Sequence, residues 1–177
     1  MSKTAKKHKE AAPKQLGFAV VTVSTSRYKD SEAGKHISDE SGDLIIETLR
    51  RNGHKIVSRG LVSDDKGMIK QTIQEMLKSP RIDAIVTSGG TGINPSDVTI
   101  ETVRPLLEKE LPGFGEIFRQ LSYVEIGSAA VMTRAMAGVA KGKVIFCLPG
   151  SPNAVDVCLG RLILPEAGHI ILHARGK

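Results

Sequence analysis

The chain alternates short, continuous apolar runs rich in β-branched residues with stretches whose apolar residues recur at helical spacing. Residues 16–23 (LGFAVVTV) are one such run and read as a strand buried on both faces. A polar loop is expected over residues 24–36. Ile37, Leu44, Ile45 and Leu49 then mark a helix over residues 37–52 that Gly53 ends. A second strand is predicted over 54–62, and a second helix over 66–77 with Met68, Ile69, Ile73, Met76 and Leu77 on one face. A third strand follows over 83–87 (DAIVT). Pro105 and Pro112 punctuate helical stretches at 100–110 and 114–122, and a late strand at 144–148 (VIFCL) precedes a late helix over 153–164. Each parallel crossover must lay a helix on the sheet, so the pattern predicts an α/β domain with a mostly parallel sheet covered on both faces.

At 177 residues the chain has room for one domain with a core that needs no disulfide or structural metal. Apolar residues make up 40% and charged residues 25%, which excludes collagenous and disordered classes, and no apolar run approaches the length of a membrane span. The formal charge of +6 is unevenly placed. Residues 1–14 hold five lysines against Glu10, so this arm carries +4 and the other 163 residues only +2. With no Trp, two Tyr and four Phe there is no set of platforms for stacking bases, and nucleic-acid binding through the arm would rest on charge alone. Residues 1–14 are expected to form a flexible basic arm, with the domain in residues 15–177. The N-terminus has no apolar stretch of the secretory kind, making the cytoplasm the default location.

Ligands of open parallel sheets bind beyond the carboxyl ends of the strands. Two glycine-rich loops fall there. Ser88-Gly89-Gly90-Thr91-Gly92-Ile93-Asn94-Pro95-Ser96-Asp97 follows the third strand, and glycines in such a loop let backbone N–H groups approach an anion. It matches neither the dinucleotide fingerprint nor the P-loop, and a tight turn is the plain alternative. Pro149-Gly150-Ser151-Pro152 follows the late strand, with Ser151 suited to cap the next helix. Asp64, Asp65 and Asp97 lie just beyond strands, where carboxylates near a phosphate loop would suit Mg²⁺. For Asp64 and Asp97 the alternative is helix capping.

Other constellations are weaker. His169 and His173 stand four apart but have no third ligand in register, and a packed or solvated face is expected. Cys147 and Cys158 form no CxxC pair and read as buried small hydrophobes. Ser151 does not sit in a GxSxG elbow, so no serine triad is supported.

Taken in order, Thr87-Ser88-Gly89-Gly90-Thr91-Gly92, Asp97-Val98-Thr99, Pro112-Gly113-Phe114-Gly115 and Leu148-Pro149-Gly150-Ser151-Pro152 resemble the MoaB/MogA family of molybdenum cofactor biosynthesis. The stretch 113–138 resembles the MoaB branch, and the likeness runs from about Leu16 to about Pro165. It implies a three-layer αβα sandwich and a molybdopterin adenylyltransferase, in which ATP and the pterin phosphate give adenylylated pterin and pyrophosphate with Mg²⁺ as helper. The family's functional aspartates fall on Asp64, with Asp65 as its neighbour, and on Asp97, both also candidate Mg²⁺ ligands. Ser88, Gly89, Gly90, Thr91, Gly92, Gly150, Ser151 and Pro152 fall at substrate-binding positions. The pair Thr133-Arg134 would bring a hydroxyl and a guanidinium to the pterin phosphate.

The resemblance also implies a homotrimer or homohexamer and a metal-insertion enzyme as the next partner, with molybdenum and tungsten both open. Two positions depart from the pattern: Ser96 stands where relatives often carry Arg, and Ser63 where proline is frequent. The alternative is a pterin-binding protein without catalysis; retention of Asp64 and Asp97 favours the enzyme.

Overall fold

Residues 11–176 are described by the computed structural model. The strands are β1 (Gly17–Val23), β2 (Lys55–Val62), β3 (Ala84–Ser88), β4 (Lys109–Glu110), β5 (Met136–Ala140) and β6 (Lys143–Leu148). They form one sheet in the order β2-β1-β3-β6-β5-β4. The first four in that order run parallel, while β5 lies antiparallel to both β6 and β4. The helices are α1 (Thr25–Glu32), α2 (Glu40–Arg51), α3 (Lys66–Lys78), α4 (Thr99–Val103), α5 (Pro112–Ile126), α6 (Pro152–Cys158) and α7 (Leu164–Ala174).

Alternation along β1 divides the core in two. Phe18 and Val20 face one side with Val86, Phe146 and Leu148, against α2, α5, α6 and α7. Ala19, Val21 and Val23 face the other with Ile85 and Ile145, against α3 and α4. The expected three-layer αβα sandwich with a mostly parallel sheet is therefore observed. Both cysteines are buried. Burial pushes the Cys147 thiol up to about 12 and the Cys158 thiol upward too, so neither supplies a thiolate nucleophile near neutral pH.

The structure departs from the expected elements at four places. The supposed loop at 24–36 contains α1, whose sequence TSRYKDSE buries no side chain and so shows no apolar period. Its start is set by polar contacts instead: the Ser24 side chain accepts from the Arg27 N–H at 3.4 Å.

The stretch 100–110 is not one helix. α4 passes into a 3₁₀ turn at Arg104–Leu106, where Pro105 supplies no N–H, and the chain then adds β4 at the sheet edge. β5 was hidden by small residues. Gly138 is needed there, since a Cβ would lie 2.4 Å from Leu107 and 2.7 Å from the Lys109 carbonyl. The β5–β6 hairpin turns through Lys141 and Gly142 at φ 51° and 68°, the mirror-image turn that suits twisted strands.

The late helix is also interrupted: α6 ends at Cys158 and widens into a π turn over Leu159–Ile163 before α7. Most of the basic arm lies outside the described residues. Its last positions run along α7, where the Pro13 carbonyl lies 2.7 Å from the place a Cβ on Gly168 would take.

Candidate active site

The two glycine loops meet beyond β3 and β6. Gly89 donates its N–H to the Leu148 carbonyl at 3.0 Å. It has φ +106°, and a Cβ there would lie 2.2 Å from the Val23 carbonyl oxygen, so glycine alone fits. Thr99 fastens the loop from α4, its hydroxyl donating to the Gly89 carbonyl and its N–H to the Gly90 carbonyl, both at 2.9 Å. In the second loop Ser151 caps α6, accepting from the Ala154 N–H at 3.4 Å. A Cβ on Gly150 would stand 3.4 Å from the Gly89 Cα, which puts the loops in direct contact. Ser41 holds the second loop from below, donating to the Gly150 carbonyl at 2.7 Å. Among the described residues, the N–H groups of Gly90, Thr91 and Gly92 find no protein acceptor, so they can serve an anion.

Two carboxylates flank the first loop. Asp64 Oδ1 lies 2.7 Å from the Cβ position of Gly90, and Asp97 Oδ2 lies 2.7 Å from that of Gly92. Neither caps the helix that follows it. Asp65 caps α3, accepting from the Met68 N–H at 2.8 Å, while Asp64 Oδ2 accepts from the N–H and hydroxyl of Thr25, each at 2.8 Å. Asp97 Oδ2 accepts from the Asn94 N–H at 2.9 Å, and α4 has no side-chain cap.

Above the loops opens a cavity of about 740 Å³. Its far wall is one face of α5 and the 3₁₀ segment Gly127–Met132, presenting Phe118, Ser122, Ile126 and Met132. The charged residues on its wall are Asp97, Glu125 and Arg134. Arg134 donates to the Gly92 carbonyl at 3.0 Å and pairs with Glu101. Burial pushes the Glu101 carboxyl up, but the Arg134 hydrogen bond and charge outweigh it and hold the group below the usual carboxylate range. The wall is thus not cationic on balance. No group of three or more His, Cys, Asp or Glu among the described residues is placed to hold a metal unaided. A pair of carboxylates beside an anion cradle suits Mg²⁺ bound jointly with substrate phosphates, since that ion keeps waters and few protein ligands.

A family model described as "Probable molybdopterin binding domain" matches residues 19–169. The chain belongs to that family. Relatives include molybdenum cofactor biosynthesis protein B of Bacillus cereus, 45% identical over 164 residues, covering 92% of this chain and 93% of the relative. Molybdopterin adenylyltransferase of Pyrococcus furiosus is 46% identical over 172 residues, covering 95% and 96%. A solved structure, the tungsten cofactor synthesizing protein MoaB from P. furiosus, superposes with a TM-score of 0.81 at 46% identity. It covers 93% of this chain and 99% of that one.

Within this molybdopterin-binding fold the residues singled out from sequence are gathered unevenly. Gly89, Gly90, Thr91, Gly92, Asp97, Thr133, Arg134, Gly150, Ser151 and Pro152 all border the cavity. Ser88 lies beneath it, buried, its hydroxyl donating to the Pro149 carbonyl at 3.3 Å. Asp64 stands behind the loop. Thr25, Ser41 and Glu101 were missed, because each acts on a residue distant in sequence, and Thr99 was noted only as part of the Asp97-Val98-Thr99 motif, with no role assigned.

His169 and His173 lie on α7 with Nε2 atoms 3.1 Å apart, and a carboxylate does stand beside them: Glu166 Oε2 is 3.2 Å from His169 Nδ1. None of the three borders the cavity.

Proposed function

We propose that this protein is a molybdopterin adenylyltransferase, transferring AMP from ATP to the terminal phosphate of molybdopterin and releasing pyrophosphate. The observation that carries the reading is the paired glycine loops, whose unsatisfied N–H groups at Gly90, Thr91 and Gly92 lie between two carboxylates under a cavity with an apolar wall. An oxygen of the pterin phosphate attacks the α-phosphorus of ATP as the bond to the bridging β-phosphate oxygen breaks. The leaving group is pyrophosphate, and no protein nucleophile is needed.

In this reading the loop N–H groups hold phosphate oxygens in line, and the apolar face of α5 takes a flat ring. Asp64 and Asp97 fit Mg²⁺ arriving with the nucleotide, which would spread the polyphosphate charge during transfer. Arg134 acts first on the protein, tying Gly92 to Glu101 and so fixing the loop's outer edge. Thr133, Gly150, Ser151 and Pro152 shape the neighbouring rim, while Ser88 supports it from below.

The exposed apolar strip of α5 and the 3₁₀ segment runs to the cavity mouth, with Val124 82% and Val131 85% exposed. We assign it to contacts between copies in a homotrimer or homohexamer. The adenylylated product would pass to a metal-insertion enzyme. Among the described residues no helix is long and apolar enough to cross a membrane, and the ATP-using reaction suits the cytoplasm.

The test is pyrophosphate release from Mg-ATP and molybdopterin by the purified protein. Turnover that requires both substrates supports the assignment. Tight pterin binding with no pyrophosphate would overturn it in favour of a carrier.

A further inference from the structure

We propose that Thr25 is the positioning residue for Asp64, committing one carboxylate oxygen to the protein and turning the other toward the ligand loop. This rests on the adenylyltransferase reading of the site. Thr25 stands at the first position of α1, 39 residues before Asp64, yet the two share three hydrogen bonds. The Thr25 N–H and hydroxyl both donate to Asp64 Oδ2 at 2.8 Å, and the Asp64 N–H donates back to the Thr25 hydroxyl oxygen at 3.1 Å.

The Thr25 proton is spent on Asp64. The hydroxyl of Ser63, 3.0 Å away, therefore donates to Thr25 and completes its valence. Each proton in the set is accounted for. Asp64 Oδ2, with two donors, has little capacity left for a metal or a phosphate-bound water. Oδ1 accepts none of these bonds, and it is the oxygen that lies 2.7 Å from the Gly90 Cβ position. The carboxylate is thereby presented to the loop through one oxygen.

The arrangement is not simply a device for docking α1. That helix buries no side chain. Its start is also held by the Ser24 N–H to the Val62 carbonyl at 2.9 Å, and Arg27 Nε donates to the Ser38 carbonyl at 2.8 Å. Loss of the Thr25 hydroxyl leaves those bonds and its own backbone bond to Asp64 in place. What it removes is the second donor on Oδ2 and the acceptor for the Asp64 N–H, so the carboxylate can rotate.

The experiment compares Thr25→Val, which keeps shape without the hydroxyl, with Thr25→Ser, which restores it; Thr25→Ala stands in if valine prevents folding. Pyrophosphate release is measured against Mg²⁺ and molybdopterin, and calorimetry follows binding of Mn²⁺ with α,β-methylene-ATP. A positioning role predicts that valine lowers kcat by about tenfold or more, a loss on the scale of one misplaced catalytic group. It also raises the half-saturating Mg²⁺ concentration severalfold and weakens the Mn²⁺-nucleotide complex similarly, while KM for molybdopterin stays within about twofold. Thr25→Ser recovers all three, and the melting temperatures do not track the losses. A folded valine or alanine variant with wild-type kcat and metal dependence overturns the proposal, as does a serine variant no better than alanine. If the wild type releases no pyrophosphate, the adenylylation reading has failed, and the calorimetric comparison alone decides for or against Thr25.

Discussion

Asp97→Asn separates a carboxylate that works on substrate from one that merely shapes a loop. Asp97 accepts one bond, from the Asn94 N–H at 2.9 Å, and its carboxylate packs against Gly92. Asparagine has nearly the same shape and can still accept that bond, so only its charge assistance is lost, about 1 kcal/mol. For a domain of this size that lowers the melting temperature by about 2–4 °C.

The effect on rate is of another order. A unit charge about 4 Å from an opposite charge, at an effective dielectric near 20, contributes about 4 kcal/mol. Among the described residues the other carboxylate on the cavity wall is Glu125, which stands on α5 at the far wall and not beside Gly92. If most of that interaction develops as the α-phosphorus is attacked, kcat falls by about 100- to 1000-fold. Pterin binding survives, because the glycine loops are unchanged. Pyrophosphate release at saturating Mg-ATP, run beside a thermal melt, reads both quantities. A folded Asp97→Asn protein within threefold of the wild-type rate would refute the reasoning and leave Asp97 as a loop brace.

Gly89→Ala should destabilise the fold by more than about 3 kcal/mol, combining a positive φ with a backbone overlap that no rotamer relieves. Gly113→Ala, with nothing within 4 Å of its Cβ position, should be neutral or stabilising; equal urea midpoints for the two variants would contradict this. His54 accepts from the Leu16 N–H at 3.2 Å, and burial lowers its pKa. The unfolded chain therefore takes up the proton first, and stability is lost as pH falls below about 6.5 toward the depressed folded value. His54→Asn keeps an acceptor without titrating, so urea denaturation from pH 7 to 5 should show a flatter profile than wild type; parallel profiles would exclude His54 as the cause. Val131→Asp should shift sedimentation toward monomer at micromolar concentration while the melt shows an intact fold, and an unchanged sedimentation coefficient would clear that strip of an assembly role.

The strands and helices that bury apolar residues were legible from spacing because burial imposes the spacing: β1, α2 and α3 fall within a few residues of their expected bounds. α1 and β5 escaped for opposite reasons. One is a polar helix anchored by its end, and the other is a strand of small residues selected for close approach beside Leu107. The glycine loops were visible because their requirement is local, as Gly89 shows with its positive φ and its contact on Val23.

Choosing between Asp64 and Asp65 illustrates what spacing alone cannot reach. Both precede α3, both are acidic, and either could cap it. The choice is made by geometry that begins 39 residues earlier, where Thr25 takes Asp64 and leaves Asp65 to accept the Met68 N–H. A capping carboxylate has its acceptor directed at backbone N–H groups of its own helix, whereas Asp64, freed from that duty, keeps Oδ1 turned to Gly90. Arg134 reverses the case. The family resemblance implies a place for it at the pterin phosphate, and in the structure its donors are directed at Gly92 and Glu101. A guanidinium so engaged contributes first by rigidity, and the charge that a polyphosphate needs must then come with the substrate. That conclusion makes nucleotide binding at this site depend steeply on divalent cation: ATP without Mg²⁺ should bind at least about tenfold more weakly than Mg-ATP. Calorimetric titration checks it, and equal affinity in the presence of chelator would mean that Arg134 leaves Glu101 to meet the phosphate.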